Sequence, residues 1–106
     1  MKFRWVLILC LMAMPLTAQT NDVSRLQAIL LDAQDTKVTF SADAWRITAN
    51  EAAALANRIA ANSKQSAARD LRTHVRQMRD AALKGDADGA RSHAGMALPF
   101  ANQLAK

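Results

Sequence analysis

The feature that most constrains this chain is a pair of amphipathic runs between Ser66 and Lys106, separated by a single glycine, Gly85. In the first run the apolar side chains recur at helical spacing, at Leu71, Val75, Met78 and Ala82. In the second run the same spacing is kept by Ala90, Ala94, Ala97, Ala101 and Leu104. This period indicates two amphipathic helices. Because the turn between them is short, they must be antiparallel neighbours.

Residues around the glycine carry the signals of a helix end and a new helix start. Lys84 places a positive charge in the last turn, and Gly85 can adopt the left-handed conformation that often follows a helix. Asp86 or Asp88 can accept hydrogen bonds from the N–H groups that open the next helix. The sequence therefore predicts a helical hairpin centred on this turn.

Two more helices are predicted upstream. Asn21 or Asp22 can cap the first, which should end near Asp35, and Ser41 can cap the second. The segment 36–40 is rich in β-branched and aromatic residues, but no second strand is available to pair with it. We therefore expect an extended connector that buries Val38 and Phe40. The predicted fold class is all-α, a small up-down-up-down four-helix bundle.

The N-terminus has the pattern of a secretory signal peptide. Lys2 and Arg4 precede an apolar run that ends at Met14, and a small-residue segment follows up to Ala18. About 20 apolar residues are needed to span a bilayer as a helix, and this run is too short. We predict a signal peptide over residues 1–18, a single helical-bundle domain over residues 19–106, and a periplasmic or secreted location in a bacterium, with no transmembrane span in the mature chain.

Cysteine and charge content narrow the expected partners. The only cysteine, Cys10, lies in the predicted leader, so the mature domain has no disulfide and depends on its core. The formal charge of +5 falls to +3 without Lys2 and Arg4. For an exported protein the accessible anions are lipid headgroups, envelope polymers and acidic proteins rather than nucleic acid.

One edge of the hairpin collects possible soft-metal ligands. Residues equally distant from the turn lie level, which puts Met78 beside His93 and His74 near Met96. The helical period places all four, with Phe100, on the same edge. Imidazole and thioether groups suit copper(I), and Asp70 could orient His74. The alternative is that the methionines fill the core and the histidines are ordinary polar residues at its edge.

A haem group held between a His and a Met is a further alternative. In its size, bundle plan and predicted export, the chain is similar to the small periplasmic bundle cytochromes. The similarity covers no motif: the chain has no C-x-x-C-H, no methionine near the start of the first helix and no histidine near the end of the last.

The other edge of the hairpin is basic. Arg69, Arg72, Arg76 and Arg79, here called the arginine row, are spaced by three, four and three residues. This spacing aligns them along one helix edge, and the same reasoning adds Arg91 from the last helix. Guanidinium groups suit phosphate and carboxylate ligands, so the row is a candidate anion-binding or partner-binding site. The alternative is a solvated helix face, with Asp70 and Asp80 nearby.

No catalytic constellation is recognisable. The serines lack an elbow-type glycine context, Ser92 and His93 are adjacent and so point in different directions on a helix, and no glycine-rich phosphate loop occurs. The sequence therefore predicts an exported, soluble, non-enzymatic binding or interaction protein of the bacterial cell envelope, whose partner is a protein or an anionic envelope component. A copper(I)-binding protein is the alternative, and a haem-binding bundle is the weaker one.

Overall fold

The computed structural model describes residues 21–106, which form four α-helices and no strand. Helix α1 includes residues 21–34, α2 is Ala42–Ala61, α3 is Ser66–Leu83 and α4 is Ala87–Leu104. The expectation of an all-α chain is therefore confirmed for this part of the protein. The predicted signal peptide falls on residues outside the described range.

Local capping explains where the last helices begin and end. The Ser41 hydroxyl accepts a hydrogen bond from the Ala44 N–H at 3.1 Å, and the Asp86 carboxylate accepts one from the Gly89 N–H at 2.9 Å. Gly85 has a φ of 81°, a left-handed conformation that costs a residue with a Cβ more than it costs glycine. These contacts satisfy N–H groups that a helix start leaves without an intrahelical partner.

The connector between α1 and α2 contains no strand and is partly buried, as the sequence predicts, but it begins with a turn and is not extended throughout, because the Val38 N–H donates to the Asp35 carbonyl at 3.2 Å. Val38 and Phe40 are half-buried in it, and the Phe40 ring lies 4.6 Å from the Trp45 ring between centroids. A turn forms at its start, where the Asp35 carboxylate accepts from the Lys37 N–H at 2.9 Å. The connector thus covers the end of the core near the start of α2.

Contacts between helices define a bundle. Helix α1 lies against α2, because Arg58 donates to Asp22 at 3.0 Å and Arg25 donates to Glu51 at 2.6 Å. From the first pair to the second, the residue number rises in α1, from 22 to 25, and falls in α2, from 58 to 51. The two helices are therefore antiparallel. Helix α1 also reaches α4 through Gln27 and Asn102, at 2.9 Å. Helix α3 packs against both α2 and α4, which completes the ring of neighbours.

The core combines small residues on α2 and α4 with larger ones elsewhere. The largest fully buried side chains are Leu26, Leu30, Ile59, Leu71, Val75 and Met78. Trp45 is also buried, Leu104 is only partly buried, and α1 contributes two of the fully buried leucines. Leu104 lies in the last turn of α4, where fewer neighbouring turns can cover it.

Pro99 lies inside α4 without ending it, since the helix runs on to Leu104. A proline in this position removes one backbone hydrogen bond and crowds the carbonyl four residues earlier, at Gly95. Gly95 faces α1, because a Cβ built on it would lie 3.6 Å from the Gln34 amide oxygen. Helix α1 therefore passes α4 at Gly95, which has no side chain.

Candidate functional site

The arginine row occupies one side of α3. Arg69 and Arg76 are exposed, and Arg72 and Arg79 are half-buried. Residues 66–83 form one uninterrupted helix, so the spacing of three and four residues keeps the four guanidinium groups on one face. The row thus exists as the helical period predicts.

The arginine row has no acidic partner in the part of the chain that the structure describes. Ion pairs join Arg25 to Glu51, Arg46 to Asp43, and Arg58 to Asp22. No carboxylate among residues 21–106 lies within salt-bridge distance of the row, although Asp70 and Asp80 belong to the same helix. The arginines of α2 therefore have their charges compensated, while those of α3 direct uncompensated positive charge outward.

Arg79 shows how the row is anchored. Its Nε is buried and has no hydrogen-bond partner among the described residues. A buried polar group without a partner costs free energy, of the order of 1–3 kcal/mol. The residue as a whole is half-buried, so the stem of Arg79 is held against the bundle, as is typical of long cationic side chains that cover apolar surface.

Arg91 has a different place from the one the sequence suggested. Its guanidinium donates to the backbone carbonyls of Ala33 at 3.4 Å, Val38 at 2.5 Å, and Asp35. It also lies over the ring of Trp45, 5.5 Å from the centroid. Arg91 therefore fastens the α1–α2 connector to α4 and is not part of the outward-facing arginine row.

Arg91 differs from the arginine row because α3 and α4 have different neighbours on their basic sides. The basic side of α3 is the one turned away from α4, whereas the corresponding side of α4 faces α1, as the contact of Asn102 with Gln27 shows. A hairpin considered alone cannot reveal this difference. The carbonyls of Ala33 and Asp35, at the end of α1, lack helical partners and accept from Arg91.

The edge of the hairpin where α3 meets α4, here called the histidine edge, contains His74, Met78, His93, Met96 and Phe100. The rings of His74 and Phe100 are stacked, with centroids 5.6 Å apart and planes 10° apart. His93 is half-buried, like His74. The Nδ1 atoms of both histidines are buried and have no hydrogen-bond partner among the described residues. The sequence placed His74 and Phe100 on one edge, and the stacking contact agrees with that placement.

The two methionines of the proposed metal set differ in depth. Met78 is fully buried in the core, whereas Met96 is 49 % exposed. The helical period explains the difference, because Met78 lies on the apolar stripe of α3 and Met96 lies well outside that of α4. Within residues 21–106, no group of three or more His, Cys, Asp or Glu side chains is placed to hold a metal ion. Any metal bound here would depend on imidazole and thioether together.

Two surface depressions lie elsewhere on the described part of the bundle. One, of about 390 Å³, is lined by Asn21 and by the two ion pairs that join α1 to α2, Asp22–Arg58 and Arg25–Glu51. The other, of about 210 Å³, lies between Phe40, Trp45 and Gly85 at the turn end of the bundle.

None of the helices in the described range is long and apolar enough to cross a membrane. A scan against protein-family models and searches of curated proteins and solved structures found no match.

Sequence reasoning missed the role of Arg91, and the structure makes that role testable. Replacing Arg91 with Ala removes three charge-assisted hydrogen bonds and the contact with Trp45, so we expect unfolding to become easier by about 2–4 kcal/mol. Urea unfolding followed by Trp45 fluorescence measures this. Arg76→Ala, which removes an exposed arginine with no such contacts in the described range, is the control and should change stability by less than about 0.5 kcal/mol. Equal effects of the two substitutions would contradict the assigned role.

Proposed function

We propose that this chain is an exported, non-enzymatic protein of a bacterial cell envelope, an up-down-up-down four-helix bundle that acts by binding. The arginine row is the surface through which it binds an anionic partner, either an envelope component or an acidic protein. The observation that supports this proposal is the concentration of four guanidinium groups on one face of α3 with no carboxylate at salt-bridge distance among residues 21–106.

The arginines of α1 and α2 differ from the row in having carboxylate partners. Leaving like charges side by side on a helix is mildly unfavourable, by a few tenths of a kcal/mol for each pair. Within the described helices, carboxylates pair with Arg25, Arg46 and Arg58, but none lies within salt-bridge distance of the row. A ligand that brings its own negative charges would remove this repulsion, and guanidinium groups bind carboxylate and phosphate oxygens in pairs.

The export half of the proposal is tested by fractionation. In a producing bacterium we expect the protein in the envelope fraction, shortened by about 18 residues, because a signal peptide is removed after translocation. Mass spectrometry of the N-terminus locates the cleavage. A Lys2→Glu/Arg4→Glu variant, which loses the positive region, should accumulate uncleaved in the cell. Full-length protein in the cytoplasm of the wild-type strain would refute the export proposal.

The binding half is tested with an acidic polymer. Fluorescein-labelled poly-L-glutamate, titrated with the protein, should bind most tightly at low salt and weaken between about 0.05 M and about 0.5 M salt, because screening shortens the range of exposed charges. Arg72→Gln/Arg76→Gln should weaken binding about tenfold at low salt, as expected when one half-buried and one exposed charge contact are lost.

The matched control removes the same net charge elsewhere. Lys37 is in the connector and Lys106 is the last residue, and both are exposed. Lys37→Gln/Lys106→Gln should retain most of the affinity if the row is the site. If both double variants lose affinity equally, only net charge matters and the row is not a binding surface. Circular dichroism confirms that each variant is folded.

A second candidate function is copper(I) binding at the histidine edge. Binding of a haem group would require more rearrangement, because Met78 is packed in the core. The observation that favours the metal is the pair of buried Nδ1 atoms without hydrogen-bond partners in His74 and His93. An imidazole nitrogen that has no protein partner is available to a metal, and thioether sulfur from Met78 or Met96 would complete a soft ligand set.

Competition with a chromophoric copper(I) chelator tests the metal proposal. We expect the wild-type protein to take copper(I) from the chelator, and His74→Phe and His93→Ala each to weaken binding at least about tenfold, since removal of even outer-shell groups costs roughly 10- to 100-fold. The phenylalanine keeps a ring against Phe100. Ser92→Ala, next to His93 and exposed, is the control. A wild-type protein that cannot compete has no such site.

A further inference from the structure

The arginine row ends in an exposed leucine. Leu83 follows Arg79 by four residues, and the spacings from Arg69 to Leu83 alternate between three and four. Residues with this spacing share one helix face. Leu83 is 53 % exposed, whereas Leu71 on the inner stripe of the same helix is fully buried. The outer face of α3 therefore presents four cations in a line and then one large apolar side chain.

The dimensions of this face suit a flat, repeating array of charge. Ten residues separate Arg69 from Arg79, and at 1.5 Å of rise per residue the row is about 15 Å long. The row is continuous, because α3 is a single helix from Ser66 to Leu83. A row of this length can meet several neighbouring headgroups of a lipid surface at once.

The half-buried members of the row also fit an interfacial position. Arg72 and Arg79 have partly covered side chains, and the buried Nε of Arg79 shows that its stem lies against the bundle. Cationic side chains of this kind keep their aliphatic stems in apolar surroundings and extend their charged ends to phosphates. The combination of basic residues with an apolar residue on one helix face is typical of helices that lie in the plane of a membrane surface.

We infer that the outer face of α3 docks on the surface of an anionic phospholipid bilayer, with the arginine row on the lipid phosphates and Leu83 entering the headgroup region. The inference rests on the proposed function and names the partner of the same site. Charge complementarity supplies the attraction, since basic residues near an anionic leaflet each strengthen binding. Leu83 distinguishes this partner from an acidic polymer in water, which offers an apolar side chain nothing to enter.

Co-sedimentation with lipid vesicles tests the docking. Vesicles of phosphatidylglycerol and phosphatidylethanolamine should bind the exported, processed protein, and vesicles of phosphatidylcholine should not. Leu83→Gln should weaken vesicle binding about tenfold, the factor expected for losing the burial of one leucine side chain, and leave poly-L-glutamate binding unchanged. Ile47→Gln is the matched control, because Ile47 is 62 % exposed but lies four residues before Glu51, on the side of α2 that faces α1.

A position-specific probe tests the depth of Leu83 directly. Apart from Cys10 in the predicted leader the chain has no cysteine, so Leu83→Cys creates a single labelling site in the processed protein. An environment-sensitive dye on that residue should brighten and shift to the blue on anionic vesicles. The same dye on an Ile47→Cys variant should not change.

The results separate this inference from the proposed function. Binding to poly-L-glutamate without binding to anionic vesicles would overturn the membrane inference and leave the anion-binding proposal intact. Loss of binding to both probes would overturn both. Vesicle binding that is unaffected by Leu83→Gln, with no change in the dye at that position, would refute the insertion of the leucine, and with it a bilayer as the partner that this face is shaped for.

Discussion

Most residues that α2 and α4 turn toward the interior are alanines, so these helices can exclude water only by approaching their neighbours closely. The larger side chains that fill the remaining space come mainly from α1 and α3, with Leu26 and Leu30 on one side and Leu71 and Met78 on the other. A core with so many alanines contains few large side chains, so each of them matters for packing. No disulfide closes the ends of the bundle in residues 21–106, and the connector and the turns must therefore do so.

Arg91 is the clearest example of such a closure. It joins α4 to the carbonyls at the end of α1 and stands over Trp45, which itself packs on Phe40. The same charge on the outer face of the hairpin would have been available to a ligand. The bundle thus uses its arginines in three ways: in ion pairs between or within helices, as a backbone clamp, and as an outward row. Among the arginines of residues 21–106, those of the row are left without a carboxylate or carbonyl partner, so their charge is available for another molecule to neutralise.

The two candidate surfaces lie on opposite sides of α3, and the helical period explains why they do not mix. His74 is on the side that meets α4, where it stacks on Phe100, while the arginine row is on the side turned away from it. Between them lies the buried stripe that contains Leu71, Val75 and Met78. A ligand at either surface therefore leaves the core residues in place, and the two binding proposals can be tested in one molecule without interference.

Local signals in the sequence were enough to predict the helices and their ends. Ser41, Gly85 and Asp86 act within four residues of themselves, so their effect on the backbone is readable from the chain alone. The arginine row was equally predictable, because it depends only on the period of one helix. The absence of a strand from the connector was also predictable, since the segment has no second strand to pair with, but the turn at its start was not.

Contacts between distant residues were decided only by the tertiary structure. Arg91 meets carbonyls 53 to 58 residues away, and no local pattern distinguishes it from the arginines of α3. The burial of Met78 beside the exposure of Met96, and the compensation of Arg58 but not of Arg76, likewise depend on which helix lies next to which. The physical reason is range: caps and periods act along one helix, whereas burial and charge pairing are set by the neighbours that folding brings together.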